Sequence, residues 1–535
     1  MCVFRSFEVR WFVREDGLGP GARTYLKGLK ENMVKIITMA NGSRTLKWEM
    51  NWKDEVLDLL KGEPLELGIS GLKQDQIRII GDEVTLDHLL AHTSERASLA
   101  VLMSRLKGMD PEEQEKVLKK VLKLLQVPRL EWIWWIDEYT VTKVQYREQL
   151  EFKEHSKNLL VVLKELVQVT DQLIENNKSE VIRTLGQYYI ETPWCDKSCV
   201  AISRSILSKL SVNDDLIQEL VMIIKEKFSR LKNNKVSKAG HKKLNINQGL
   251  KPKLGFMESE DHRQIWKTED IDSISIFAMI LDQLEGSNLK NNWWIITPTI
   301  LNILDDHEGP IKLKGVELLS ILLDKIDNQY FQMTGLIDIF YDAIFPLLSY
   351  LPKLTPVKQS KLILSTTYPV LIKMFLKTEN SNDRLIKLLN SGIYQGINTL
   401  RDNFEILPIL ITQIISILEN LGKTSVRCLP RLLYTLGMIL SDPFIHLNQE
   451  MFVKTLDCLI TTILNGWPRI HKHKYDLLGM IILSYRKEDK SNEVTEKITI
   501  LVQLLRNVID ENELEADIKE LVKYDPSLDQ LFNGN

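Results

Sequence analysis

A chain of 535 residues is long enough for about three to four ordinary domains or for one long repeat array. Its 69 Lys and Arg against 72 Asp and Glu leave a net charge of -3, which excludes a global cationic field for phosphate backbones or anionic lipid. Hydrophobic residues at 44% and charged residues at 26% exclude a disordered chain, and only 25 Gly and 17 Pro argue against an all-β fold rich in turns.

Residues 1–105 show no sustained period and are broken at Gly17-Leu-Gly-Pro-Gly21; they are read as an N-terminal extension. At Asp110 a helix begins: Asp110 suits the cap, Pro111 the first helical position and Glu113 a capping box, while Val117, Leu118, Val121, Leu122 and Leu125 share one face. Residues 106–230 are predicted to form helical repeats, with further segments near 154–175, 178–190, 197–210 and 212–230. From Lys225 to Lys253 ten Lys and Arg face a single acid, Glu226, and the apolar period stops after Leu231. Residues 231–265 are therefore expected to be a basic, flexible linker.

From Trp266 onward the helical pattern runs almost unbroken, near 273–285, 293–304, 310–326, 334–349, 357–377, 383–401, 404–420, 425–441, 448–466, 470–486, 493–509 and 512–523. Successive helices with no hairpin signal between them predict an all-α chain whose residues 266–535 form an α-solenoid. The stretch Ile296-Thr-Pro298 to Leu318-Leu319 resembles a HEAT repeat. Pro298 bends the first helix, Asp306 closes the turn, Ile311 and Lys312 open the second helix, and Gly315 marks a close crossing. Pro346, Pro369, Pro408 and Pro430 resemble the same device at irregular spacing, so the repeats are divergent HEAT-like ones.

Chemistry-bearing constellations are weak. His88 and His92 lack a third ligand, Cys195 and Cys199 lack a second ligand pair, and His471 and His473 are two apart, so no metal is expected. The Gly17, Gly19 and Gly21 cluster lacks phosphate-loop spacing, and neither a nucleophile elbow nor a kinase signature is present. No enzyme and no cofactor is therefore expected. The basic stretch lacks interleaved aromatic residues for base stacking, so direct nucleic-acid binding is not expected either. The longest apolar run, Ile406 to Leu418, is too short and too polar to span a bilayer, and the first residues carry no secretory pattern. Five scattered cysteines fit a reducing compartment, with cytoplasm, nucleus or both left open and a cytoplasmic and nuclear distribution expected.

What remains is partner binding. Trp132, Trp134 and Trp135, like Trp293 and Trp294, are read as helical core anchors, with one of each adjacent pair turned outward as a hot spot. Asp305 and Asp306 cap the turn, and Lys312 and Lys314, two apart, point in different directions and leave a charge exposed. Trp293, Trp294, Asp305, Asp306, Lys312 and Lys314 are thus the candidate partner-binding residues.

The run His262-Arg-Gln-Ile-Trp266-Lys267, then Asn292-Trp293-Trp294-Ile-Ile-Thr-Pro298, Leu304-Asp305-Asp306, Ile311-Lys312-Leu-Lys314-Gly315, Thr334-Gly335-Leu336 and Leu351-Pro352-Lys-Leu-Thr355-Pro356, resembles the fungal TEL-two-interacting protein two family. The likeness covers about residues 255–375 well and much of 155–535 loosely. It implies a non-enzymatic scaffold of the TTT co-chaperone complex, bound to TEL-two and TEL-two-interacting protein one. Through them it would serve the ninety-kilodalton heat-shock chaperone system in maturing phosphatidylinositol-three-kinase-related kinases. The alternative is a transport-receptor-like or other HEAT-repeat adaptor that wraps a protein cargo, which calls for rows of acidic residues and Trp or Asn on successive inner helices. The purified chain is expected neither to hydrolyse ATP nor to transfer phosphate; turnover that survives purification to homogeneity and vanishes on one point substitution would contradict this.

Overall fold

The computed structural model describes residues 86–91, 93, 99, 102–103, 105–106, 108–136, 140–169, 175–210, 212–228, 235–237, 239–243, 265–400, 403–487 and 490–533. The side chains of His88 and His92, the Gly17–Gly21 cluster and most of the N-terminal extension lie outside these residues. Two compact units divide the chain, Met1–Leu124 with Glu154–Asn176, and Leu125–Lys153 with Asn177–Asn535. The compositional shift at residue 231 is therefore not a unit boundary, because the helices from 178 to 228 belong to the same unit as the C-terminal array.

In the first unit, helix α1 (Pro111–Leu124) buries Val117, Leu118, Val121 and Leu122, the face its spacing predicts. Gln114 on the same face donates its amide to the Leu106 carbonyl at 3.0 Å. Helix α2 (Val144–Val169) contributes residues to both units.

The second unit begins with a departure from expectation. Trp132, Trp134 and Trp135 lie in a non-helical stretch, not in a helix. One side chain pairs both backbone groups of Ile133 within it: Ile133 N–H donates to Gln149 Oε1 at 2.8 Å, and Gln149 Nε2 donates back to the Ile133 carbonyl at 3.0 Å. Trp132 still serves as a core anchor, with its ring centroid 5.3 Å from that of Trp194.

Helices α3 (Lys178–Gly186), α4 (Lys197–Leu207) and α5 (Asp214–Phe228) follow, and α3 and α5 both pack on α6 (Ser273–Gln283). Then come α7 (Trp293–Leu304), α8 (Gly309–Lys325), α9 (Ile337–Ile344), α10 (Val357–Leu376), α11 (Leu407–Leu421), α12 (Leu429–Leu440), α13 (Gln449–Ile470), α14 (Lys474–Tyr485), α15 (Asn492–Val508) and α16 (Glu511–Tyr524). Polar residues set several starts: Asp196 accepts from Cys199 N–H, Asn448 from Met451 N–H and Ser491 from Val494 N–H.

Contacts give the architecture. Helices α6, α8, α10, α11, α13 and α15 pack each on the next, forming one continuous row. Helices α7, α9, α12, α14 and α16 pair with members of that row on its other side. This is an α-solenoid of HEAT-like helix pairs. Among the described residues there is no strand, only two isolated bridges, Thr192–Cys195 and Val236–Lys242.

Two predicted helices are broken for local reasons. The segment read as 334–349 ends its α-helix at Ile344 and continues as a 3-10 turn, Phe345–Ser349, where Pro346 supplies no N–H. The segment read as 383–401 is split by a π-helical turn, Leu389–Ile393, over Asn390-Ser391-Gly392, all weak helix formers. Of the prolines read as bends, Pro298 and Pro369 lie inside helices, whereas Pro408 and Pro430 stand in first turns, where a missing N–H costs nothing.

The expected linker also contains a docked element. Val236 is buried, its residue bridges to Lys242, and the Lys242 N–H donates to the Thr334 carbonyl at 3.1 Å. Gly240, at φ +80°, lies so close to Trp293 that an added Cβ would sit 2.6 Å from the Trp293 carbonyl oxygen. Only glycine meets both demands. The basic composition concealed this contact because a single valine and a glycine make it.

Gly315 does mark the crossing of α7 and α8: a Cβ there would approach Leu304 Cγ to 2.8 Å and the Leu304 nitrogen to 3.0 Å. Gly315→Leu is expected to cost at least about 2 kcal/mol through overpacking. In contrast, Gly479→Ala in α14, where a Cβ meets nothing within 4 Å, should stabilise by about 0.5–1 kcal/mol. Thermal melts of the two variants moving in opposite directions would verify the crossing; similar melts would refute it.

Candidate partner-binding site

The six candidate residues cluster at the α7–α8 hairpin, and three of them are turned inward. Trp293 is only 1% exposed, with its ring edge-on to Tyr330 at 5.4 Å. Trp294, its neighbour, faces outward beneath the Lys225 ammonium, which lies 5.2 Å from its ring. One member of this pair is thus exposed, as the 100° step between neighbours on a helix requires.

The acids hold the chain together. Both Asp305 oxygens accept from Lys235 Nζ at 2.9 Å, tying the docked segment to the end of α7. Asp306 is buried; its Oδ1 accepts the Glu308 N–H at 2.8 Å, closing the turn as the repeat pattern predicts. Lys267 then reaches Asp306 at 3.0 Å and Glu308 at 2.7 Å. Burial by itself would lower the pKa of the Lys267 ammonium, but its hydrogen bonds to Glu308 and Asp306 outweigh that and raise it above the ordinary lysine value. Asp306, His307 and Glu308 could together offer three ligand atoms to a cation, and Lys267 supplies a positive charge to two of them. A second lysine does the same nearby: Lys227, at the end of α5, lies 3.3 Å from Asp270 and 3.9 Å from Asp272.

The two lysines of α8 differ. Lys314 is buried and donates to both Glu317 oxygens at 2.8 Å, so it is not the exposed charge that its spacing suggested. Lys312 is half-buried and makes no ion pair among the described residues. Trp294, Asp305 and Lys312 are therefore what this cluster shows to a partner, while Trp293, Asp306 and Lys314 support it from within.

Sequence reasoning missed Lys267, Lys227 and Lys235, because a lysine in a basic or mixed stretch carries no mark of its partner. It also passed over Leu354, which stands 93% exposed in the loop between α9 and α10 beside Lys353, a residue at φ +100°. Among the described residues the four cysteines are all buried. Cys195 and Cys199 are buried, and the hydrogen bond between the thiols, with burial second, pushes the Cys195 thiol far up and keeps it protonated. His471 and His473 sit in a 3-10 turn after α13, where His473 faces Asp476 at 3.3 Å.

Among the described residues no helix is long and apolar enough to cross a membrane. Comparison with known proteins places residues 181–447 on the model of the Tti2 family. TEL2-interacting protein 2 of Saccharomyces cerevisiae (strain ATCC 204508 / S288c) is 30% identical over 277 residues, 47% of this chain and 65% of that protein. The match thus spans slightly under two thirds of the yeast relative. Solved structures of the karyopherin Kap121p, one bound to the extreme C-terminus of the protein phosphatase Cdc14p and one to the SUMO protease Ulp1p, are similar with a TM-score of 0.40 and 12% identity. The first likeness covers 88% of this chain and 46% of the karyopherin, the second 86% and 45%.

The inward-facing residues should report on stability. Asp306→Ala removes the cap of the Glu308 N–H and one partner of Lys267, at an expected cost of about 2 kcal/mol. Asp306→Asn keeps a cap acceptor and should cost less. Lys314→Glu would set two carboxylates together in a buried place and lower the melting temperature, whereas Lys312→Glu should leave it almost unchanged. Equal melting of the Lys314 and Lys312 variants would show that Lys314 is not held as described.

Proposed function

The chain belongs to the Tti2 family, and from that premise we propose that it is the non-enzymatic scaffold subunit of the TTT complex. In this reading it joins TEL-two and TEL-two-interacting protein one and supports chaperone-dependent maturation and stability of phosphatidylinositol-three-kinase-related kinases. It acts there with the ninety-kilodalton heat-shock chaperone system, in cytoplasmic and nuclear pools. The observation that carries the reading is the match over residues 181–447, which includes the Trp293-to-Lys314 cluster and the loop of Leu354.

Physical considerations support a scaffold. A row of helices leaves long outer faces and many turns along its edges, so one chain offers several partners separate surfaces. The ion-paired α7–α8 hairpin fixes Trp294 and Lys312 on one of those surfaces, and rigid placement lowers the entropy lost when a partner docks. No nucleophile or metal chemistry enters this mechanism; binding and mutual stabilisation are the activity.

Affinity purification of the tagged chain from its native cell tests the reading. Both larger TTT subunits should be recovered in comparable amounts, and loss of the chain should lower the protein levels of the large kinases without lowering their transcripts. A native complex that contains neither subunit would sink the proposal.

A further inference from the structure

Within the basic stretch, residues 235–237 and 239–243 form a short hairpin laid along α7. Val236 bridges to Lys242, the Ser237 N–H donates to the His241 carbonyl at 2.7 Å, and the Lys243 N–H donates to the Lys235 carbonyl at 3.2 Å. Its contacts run from one end of the helix to the other. Just past the last residue of α7, Lys235 donates to both Asp305 oxygens at 2.9 Å; at the first residue, Gly240 lies against Trp293, where a Cβ would stand 2.6 Å from the carbonyl oxygen. Beside α7 the Lys242 N–H donates to the Thr334 carbonyl at 3.1 Å, and the His241 ring stands edge-on to Tyr330 at 6.2 Å.

Two features mark this hairpin as an occupant that can be exchanged. It is held weakly: among its described side chains Val236 is the one buried apolar residue. The Lys235–Asp305 pair is exposed on both partners, at 42% and 36%, where an ion pair contributes little. It also fits imperfectly. The Trp293 indole nitrogen, bonded to the Cδ1 atom that faces Gly240, is buried with no hydrogen-bond acceptor among the described residues. A donor removed from water thus goes unpaired beneath the hairpin. Trp293 and Thr334 are almost wholly buried with the hairpin in place. Opening without replacement would return part of an aromatic ring to water, so exchange for another segment is favoured over a vacant groove.

We propose that the face of α7 from Trp293 to Asp305, with Tyr330 and Thr334 beside it, is a docking groove for a hairpin segment of a protein partner that carries Lys or Arg five residues before Gly, and that residues 235–243 fill it in the partner's absence. The chain's own hairpin displays the chemistry of the occupant. Asp305 takes one cation, and Trp293 admits only a residue without a Cβ. The Thr334 carbonyl takes a backbone N–H, which any residue but proline supplies. No second cation is called for at the far end, since the Lys290 ammonium already lies 5.0 Å from the Tyr330 ring. The inference does not depend on the TTT reading, and its test uses the purified chain alone.

The full chain carrying Gly240→Val provides the test, because a branched side chain at φ +80° cannot lie on Trp293 and the hairpin must leave. A second chain, Lys235→Glu with Val236→Asp, empties the groove through different contacts. The probe is a fluorescein-labelled peptide of residues 233–245, followed by anisotropy. It should bind both emptied chains saturably and at least about tenfold more tightly than the unaltered chain, whose groove is open in only a minor fraction of molecules. The same peptide with Val in place of its glycine should not bind, and with Glu in place of its first lysine it should bind about tenfold more weakly. Asp305→Lys in the Gly240→Val chain should restore binding of the Glu peptide, a gain that damage to the fold cannot produce; no restoration would count against the site. Equal binding to the unaltered and emptied chains, binding to neither emptied chain, or indifference to the glycine would overturn the proposal. So would loss of helix content in both emptied chains, which would make the hairpin a fixed part of the core. A dimer of the unaltered chain, seen by light scattering, that Gly240→Val converts to monomer would overturn it too, because copies of the chain would then exchange hairpins with each other.

Discussion

Every helix in the row from α6 to α15 is stable only because it is covered on two sides by its neighbours. A helix of eleven to twenty-two residues such as α6 or α13 is marginal in water by itself, and what holds it is burial of its apolar stripe. The row therefore demands large side chains at contact positions and tolerates few exceptions. The crossing of α7 and α8 is one, because Gly315 is empty enough for Leu304 to enter. That vacancy lets two helices run close, and it fixes the hairpin on which Asp305, Asp306 and the lysines are mounted.

Charge is then used in two distinct ways. Lys267, Lys314 and Lys474 are largely removed from water, and each is met by one or two carboxylates at 2.6–3.0 Å. Removing such a charge from water is costly, and the ion pair offsets that cost without necessarily exceeding it, so these pairs are better understood as fixing geometry than as adding stability. Lys267 joins the residues before α6 to the α7–α8 turn, and Lys474 joins the start of α14 to α16. The long lysine stem suits this role, since it packs along apolar surface while its head reaches a carboxylate on another helix.

The sequence discloses the helices well because their period is sustained. Predicted starts at 273, 293, 357 and 493 fall within a residue of Ser273, Trp293, Val357 and Asn492. What it hides are properties that depend on a partner far along the chain. The basic stretch reads as solvated because ten cations stand close together, yet Lys235 is paired to Asp305, 70 residues away. Lys312 and Lys314 look equivalent on a helical wheel, and only the presence of Glu317 and the neighbouring helices decides that Lys314 is buried. Trp132 reads as a helical anchor because aromatic residues cluster there; its ring packs on Trp194 from a non-helical stretch whose Ile133 backbone is held by the amide of Gln149, and that amide carries no periodic mark.

The partner-binding candidates illustrate why a solenoid's interfaces are harder to read than its core. Core positions repeat and can be recognised by spacing, whereas an interface residue differs from a solvated one only in what it lacks. Near Asp305 and Asp306 nearly every charge already has a counter-charge, and a partner docking there must either break a pair or use Trp294, Lys312 and the rim around them.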